Sequence, residues 1–200
     1  MVTYRQDDAR ALPQHYGAAL DHFGRLVRQV EPERWSLPTP CRAWSVRDLV
    51  NHVTVQQLWV PPLLAGANAV SLADLLSGDR LGDDPALAWK RAAAEAEEAV
   101  HGKGALDGTV NLWQGPALAA HLCSQLAMDT VVHAWDLARA IGADERLPDI
   151  LVAFALREVS GYADRLSASG LFHAPLPVPP DADSLTRLLA LTGRDPRRRA

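Results

Sequence analysis

The chain has 200 residues, 48% hydrophobic and 22% charged, the balance of an ordinary soluble globular domain. A formal net charge of −4 and a pI of about 5.9 argue against a dedicated nucleic-acid binder, which carries a basic patch or stripe. Two cysteines are too few for a disulfide scaffold or an all-cysteine metal site, and no apolar run approaches the roughly 20 residues that span a bilayer.

Alanine and leucine dominate and β-branched runs are rare, which favours helices throughout. The first is expected from Asp8 to Val30, with Leu20, Phe23, Leu26, Val27 and Val30 at helical spacing and Pro32 as the stop. The proline-rich stretch from Trp35 to Trp44 reads as a loop. Ser45 and Asp48 then form a capping box for a second helix, striped by Val46, Leu49, Val50 and Val53 and ending near Pro61. A short helix is expected at Ser71 to Leu76. Asp84 and Pro85 open a third long helix to Val100, closed by the glycine-rich HGKGALDG. A fourth runs from about Pro116 to Ile141, where Gly142 stops it. A fifth spans Pro148 to about Ser169, and a last short one Ser184 to Thr192. The segment FHAPLPVPPDADS between them is too proline-rich for a helix, and the basic run from Arg194 to Arg199 reads as a frayed, solvated tail. The pattern predicts an all-α bundle in a single domain, 1–200, with the bundle over about 1–170 and a C-terminal extension over 171–200.

The fourth helix carries the chemistry. Around Asp129 and His133 it is nearly all apolar, so its polar groups need partners inside the protein. Gln125, Asp129, His133 and Asp136 share a narrow arc, and Asp129 and His133 stand one turn apart on one face. A carboxylate and an imidazole so placed can share a metal ion, or can simply form a buried hydrogen bond. A third ligand must come from a facing helix, and His52 is the candidate, with Gln56 one turn on. Three protein ligands with an open position is the pattern of a catalytic metal.

Three motifs carry a resemblance. TPCRAWSVRDLVNHV, MDTVVHAWDLARAIG and PVPPDADSLTRLLALTGRDP are similar to segments of the mycothiol-dependent maleylpyruvate isomerase N-terminal-domain family, within the DinB-like superfamily. The third resembles a tail common in actinobacterial members. The resemblance implies a DinB-like four-helix bundle with additional short helices and an irregular proline-rich C-terminal segment. It also implies a divalent metal held by His52, Asp129 and His133. Zinc is the first expectation, with nickel, iron and manganese also suited to a mixed histidine–carboxylate set. The isomerase has a glutamate where this chain has Asp129, and an additional C-terminal domain for which this chain is too short, so its activity does not transfer as it stands.

Cys41 lies just ahead of a helix N-terminus beside Arg42, features that lower a thiol pKa, although a packed loop cysteine is the plainer reading. Cys123 reads as core. Trp44 and Trp135 read as packing residues or pocket walls, and Asp136 as a partner for His133 or Arg139. His15, His22, His101, His121 and His173 show no convergent partners in the sequence. The functional expectation is a metal-dependent thiol S-transferase or isomerase of the mycothiol type, joining a small-molecule thiol to an electrophilic substrate, with Gln56 and Asp136 as candidate acid–base groups. The alternatives are a non-catalytic metal-binding bundle, a metal-dependent hydrolase, or an interaction domain with a decayed site. A cytoplasmic monomer or homodimer, without nucleic acid or membrane, completes the reading.

Overall fold

The structure is a computed structural model and describes residues 6–41, 43–74, 76–161 and 174–197. Among the described residues the elements run α1 (Gln6–Val27), a 3-10 turn (Pro32–Arg34), α2 (Val46–Leu64), α3 (Ala69–Leu72), α4 (Pro85–His101), β1 (Thr109–Leu112), β2 (Gly115–Leu118), α5 (Ala119–Ala140), α6 (Asp149–Ser160) and α7 (Ser184–Leu191). The fold is all-α, as the composition and helical spacing imply.

The bundle is α1, α2, α4 and α5. Helix α1 packs on α4 and α5, and α2 packs on the same pair from the other side. Leu20, Phe23, Leu26 and Val27 of α1 and Val46, Leu49, Val50 and Val53 of α2 are all buried, as their spacing predicts. Helix α5 is buried almost all round from Ala127 to Ala138, because α6 covers a face that the other three helices leave open.

Helix ends follow local chemistry. Ser45 Oγ accepts from the Asp48 N–H at 3.2 Å and the Asp48 carboxylate accepts from the Ser45 N–H at 2.9 Å, closing the expected capping box. Asp84 and Asp183 cap α4 and α7 in the same sense. Helix α2 continues to Leu64 rather than stopping near Pro61. Prolines 61 and 62 remove two N–H donors, but their carbonyls still accept from Ala65 and Ala67 at 3.0 and 2.9 Å, so the last turn closes without them.

Further boundaries differ from expectation, α1 stopping at Val27 rather than Val30 among them. Residues 116–118 belong to a hairpin, not to the start of α5: β1 and β2 pair antiparallel with Leu112 opposite Gly115, and Val110 is buried beneath α2 and α3. The middle short helix sits at Ala69–Leu72, capped by the Asn68 side chain. Helix α6 ends at Ser160, and the remainder of the expected fifth helix lies outside the described residues, as does His173.

Helix α7 is part of the core, whereas residues 174–181 ahead of it are exposed. Leu188 and Leu189 of α7 are fully buried and α7 packs on α6. After it comes a Schellman turn: Gly193, at φ 75°, donates to Ala190, and Arg194 N–H donates to the Leu189 carbonyl at 2.7 Å. That turn points the chain back into the molecule. The basic run is therefore not a solvated tail at its start, because Arg194 is buried, while Arg197 is exposed and pairs with Asp195.

Candidate metal centre

Two helices build the site. His52 stands two turns past the Ser45 cap on α2, and Gln56 one turn beyond it; Asp129 and His133 face them from the middle of α5. The Asp129 Oδ2 atom lies 3.5 Å from His52 Nε2 and 3.4 Å from His133 Nε2. All three donor atoms fall within 4.8 Å of one another. The edges of a tetrahedron of nitrogen and oxygen ligands at 2.0–2.1 Å from a metal are about 3.3–3.4 Å, so the spacing suits a shared ion. Exposure is graded across the set: the His52 side chain is 35% accessible, Asp129 14% and His133 5%. One side of the cluster is thus open and the other sealed.

The sealed side fixes the His133 ring. Its Nδ1 lies 3.0 Å from Asp136 Oδ2. An ionised carboxylate only accepts, so Nδ1 carries the proton and, in the neutral ring, Nε2 carries a lone pair aimed at Asp129. A lone pair facing a carboxylate in a buried site requires a cation between them, either a proton on the ring or a metal. The metal-free electrostatics reflect that demand. Burial alone would lower the His133 pKa, but the charge of Asp129 and hydrogen bonds to Asp129 and Asp136 hold it well above the usual imidazole value. Burial would likewise raise Asp129, and the charge and hydrogen bonds of the two imidazoles hold it well below the carboxylate range.

Gln56 shows the same unmet demand. Its amide nitrogen lies 2.7 Å from Asp129 Oδ2 and 3.0 Å from His52 Nε2, filling the gap between two donor atoms with N–H groups. Its own Oε1 is buried without a hydrogen-bond partner among the described residues. A side chain that strands its carbonyl to supply two protons to a carboxylate and an imidazole is standing where positive charge is wanted. The residues therefore fit a divalent cation.

Asp136 pairs with His133 and not with Arg139. Its other partner is Arg194, whose Nη2 and Nε donate to Oδ2 and Oδ1 at 2.7 and 3.2 Å. Burial would raise the Asp136 pKa, and the Arg194 charge with the His133 and Arg194 hydrogen bonds keeps it well below the usual range. Arg139 instead lies over Trp135, 4.3 Å from the ring centroid, and pairs with Glu145 at 2.7 Å. Trp135 is accordingly core. Trp44 walls the site, its ring centroid 4.7 Å from that of His52 and 5.8 Å from that of His133.

Cys41 is not merely packed. Its thiol donates to Asp136 Oδ2 at 3.3 Å, lies 3.8 Å from His133 Nδ1, and accepts from Arg194 Nη2 at 3.5 Å. Cys123 is core, its thiol pushed up to about 12 by burial. His15, His22, His101 and His121 join neither group of convergent ligand atoms among the described residues; His15 stacks on Phe154. Arg194 was the residue of this cluster hidden in the sequence. The ALTGRDP motif marks a helix end with a glycine turn, but not that the following side chain reaches back 58 positions to Asp136.

The sequence model of the mycothiol maleylpyruvate isomerase N-terminal domain matches residues 16–138, which include every residue of the cluster but Arg194. Two uncharacterised proteins from two strains of Mycobacterium tuberculosis are each 29% identical over 137 residues, covering 67% of this chain and 70% of theirs. Among solved structures, the mycothiol-dependent maleylpyruvate isomerase superposes with a TM-score of 0.59 at 14% identity, over 78% of this chain and 72% of that one. A histidine-to-alanine variant of that enzyme superposes with a TM-score of 0.61, over the same shares. At that identity the likeness establishes the fold.

Proposed function

The chain belongs to the mycothiol maleylpyruvate isomerase N-terminal domain family, and from that premise we propose that it is a metal-dependent thiol S-transferase or isomerase whose metal is held by His52, Asp129 and His133. The observation that carries this reading is the convergence of two imidazole Nε2 atoms and one carboxylate oxygen on a point open on the His52 side. A divalent cation bound there supplies a Lewis-acid centre that keeps a coordinating thiol deprotonated.

The charge count supports an anionic thiolate as the fourth partner. Two neutral imidazoles and one carboxylate leave a single positive charge on a divalent centre, and a thiolate brings the site to neutrality. The Asp136–Arg194 pair adds no net charge. Asp136 keeps the His133 proton on Nδ1 so that Nε2 remains a ligand atom, the role of a carboxylate behind a metal-binding histidine. Trp44 packs on both imidazoles, restricting their rotation and excluding water from one flank. Gln56 is placed to donate to an oxygen or sulfur at the open side once a cation relieves it of Asp129. The family name points to mycothiol as the thiol and to a small electrophile as its partner. Zinc is the first candidate for the metal. No helix among the described residues is long and apolar enough to cross a membrane.

The test is elemental analysis of the protein purified without a histidine tag, beside His52→Ala and His133→Ala. We expect near-stoichiometric metal in the wild type and loss of at least tenfold in affinity in each variant. Thiol consumption against a panel of electrophiles should depend on that metal. Turnover retained by metal-free His52→Ala would overturn the reading.

A further inference from the structure

His133 has two ring nitrogens, and each faces a different set of potential metal ligands. Nε2 faces His52 and Asp129. Nδ1 faces Cys41 and Asp136, a second trio whose donor atoms also lie within 4.8 Å of one another. The inner separations are 3.8 Å from Cys41 Sγ to His133 Nδ1, 3.3 Å from Sγ to Asp136 Oδ2, and 3.0 Å from Nδ1 to Oδ2. A thiolate, an imidazole and a carboxylate are by chemistry the more attractive set for a soft or borderline ion, because sulfur favours zinc, cadmium and cobalt over oxygen donors. A bundle that offered both sets freely would load the wrong one.

The inner set already holds a cation. The Arg194 guanidinium contacts two of its three members, Asp136 Oδ2 at 2.7 Å and Cys41 Sγ at 3.5 Å, and grips Asp136 a second time through Nε at 3.2 Å. It is pinned from behind as well, with Nη1 donating to the Thr192 carbonyl at 2.8 Å. A guanidinium cannot be deprotonated in a protein, so it cannot step aside as a lysine could by losing its charge. We propose that Arg194 serves as a built-in cation that excludes metal from Cys41, His133 and Asp136, and thereby assigns the metal to the Nε2 side of His133. Arg194 is thus a positioning residue for the centre: it touches neither metal nor substrate, and acts by occupying the competing site and by holding Asp136 as the acceptor of the His133 proton. Its removal frees Cys41, as thiolate, and His133 Nδ1 to bind a metal, the thiol proton passing to solvent and the ring proton moving from Nδ1 to Nε2, where Asp129 accepts it.

The inference rests on the metal-centre reading, and cobalt(II) separates the two. Cobalt bound to sulfur gives an intense near-ultraviolet thiolate-to-metal charge-transfer band that nitrogen and oxygen ligands do not. Wild type titrated with excess cobalt should bind without that band. Arg194→Met should acquire it, and Arg194→Met with Cys41→Ser should lose it again, which excludes Cys123 as the source. Arg194→Lys, whose ammonium can give up its proton and leave, should fall between the wild type and Arg194→Met. Circular dichroism melts identify folded variants. A band in the wild type that vanishes with Cys41→Ser alone would overturn the proposal, and that arm needs no Arg194 variant to fold. So would a folded Arg194→Met that binds cobalt without the band. If the wild type binds no cobalt while Arg194→Met shows the Cys41-dependent band, the exclusion of metal by Arg194 stands, and the outer centre falls together with the assignment of metal to it.

Discussion

Asp136 is the residue on which the buried charges balance. It is fully buried, accepts from His133 and Cys41, and neutralises Arg194. Asp136→Asn leaves a guanidinium in the interior without its counter-charge, and removing one partner of a buried ion pair costs about 3–5 kcal/mol. Urea unfolding should show that loss, whereas Asp144→Asn, at an exposed pair with Arg146, should change stability little. A second residue-scale consequence is alkaline. Cys123 is pushed by burial to about 12, and Tyr16, buried and hydrogen-bonded to Gln57, is raised well above its ordinary value. Both groups ionise in the unfolded chain at about 8.5 and 10 but stay protonated in the folded one. Their folded pKa values exceed the unfolded ones, so their contribution is fully present below about pH 8.5 and is lost as pH rises toward 12. Thermal melts between pH 8 and 11 should fall steadily, and Cys123→Ala should flatten the lower part of that fall.

At the scale of elements, much was written in the sequence. Ser45 with Asp48, Asp84 with Pro85, and Gly142 after Ile141 each declare a helix end through a local hydrogen bond, and each is where it was read. The convergence of Asp129 and His133 was legible because polar residues at helical spacing inside an apolar helix must have partners; His52, at the edge of the α2 stripe, was a weaker candidate that the family resemblance singled out, and the structure brings the three together. The hairpin was not legible. Trp113 and Gln114 form a two-residue connection without the Asn-Gly chemistry that announces one, and Pro116 imitates a helix start while sitting opposite Asn111 in a two-stranded ribbon. Arg194 was not legible because its partner is a tertiary neighbour, and periodicity speaks only of an element's own faces. The capping box offers a direct check. Ser45→Ala should cost about 1 kcal/mol by denaturant titration. It should also weaken metal affinity a few-fold, since it frays the end of α2 that orients His52, and Ser45→Gly should cost only a few tenths.

For the molecule as a whole, the short α7 matters more than its length implies. Leu188 and Leu189 are fully buried against a core that includes α5 and α6. Leu188→Ala should cost about 2–5 kcal/mol, as a buried leucine truncation does where the surroundings cannot collapse, and the loss should appear as a lower denaturant midpoint with an unchanged slope. If the segment were an appendage, the same substitution would leave the main transition in place.

The residue that the Schellman turn at Gly193 directs inward is also synthesised late. Cys41, His133 and Asp136 are translated before the residue that fills the space between them, and Arg194 follows Asp136 by 58 positions. At roughly 5–20 residues per second, that interval lasts on the order of 3–12 seconds. During it Cys41, His133 and Asp136 exist without the guanidinium that contacts Cys41 and Asp136 in the folded chain. Metal that arrives early meets a different coordination choice from metal that arrives after release. On the proposed role of Arg194, preparations made in medium rich in thiol-seeking ions should carry a mis-loaded fraction that apo-protein refolded with Arg194 in place, and then given metal, does not.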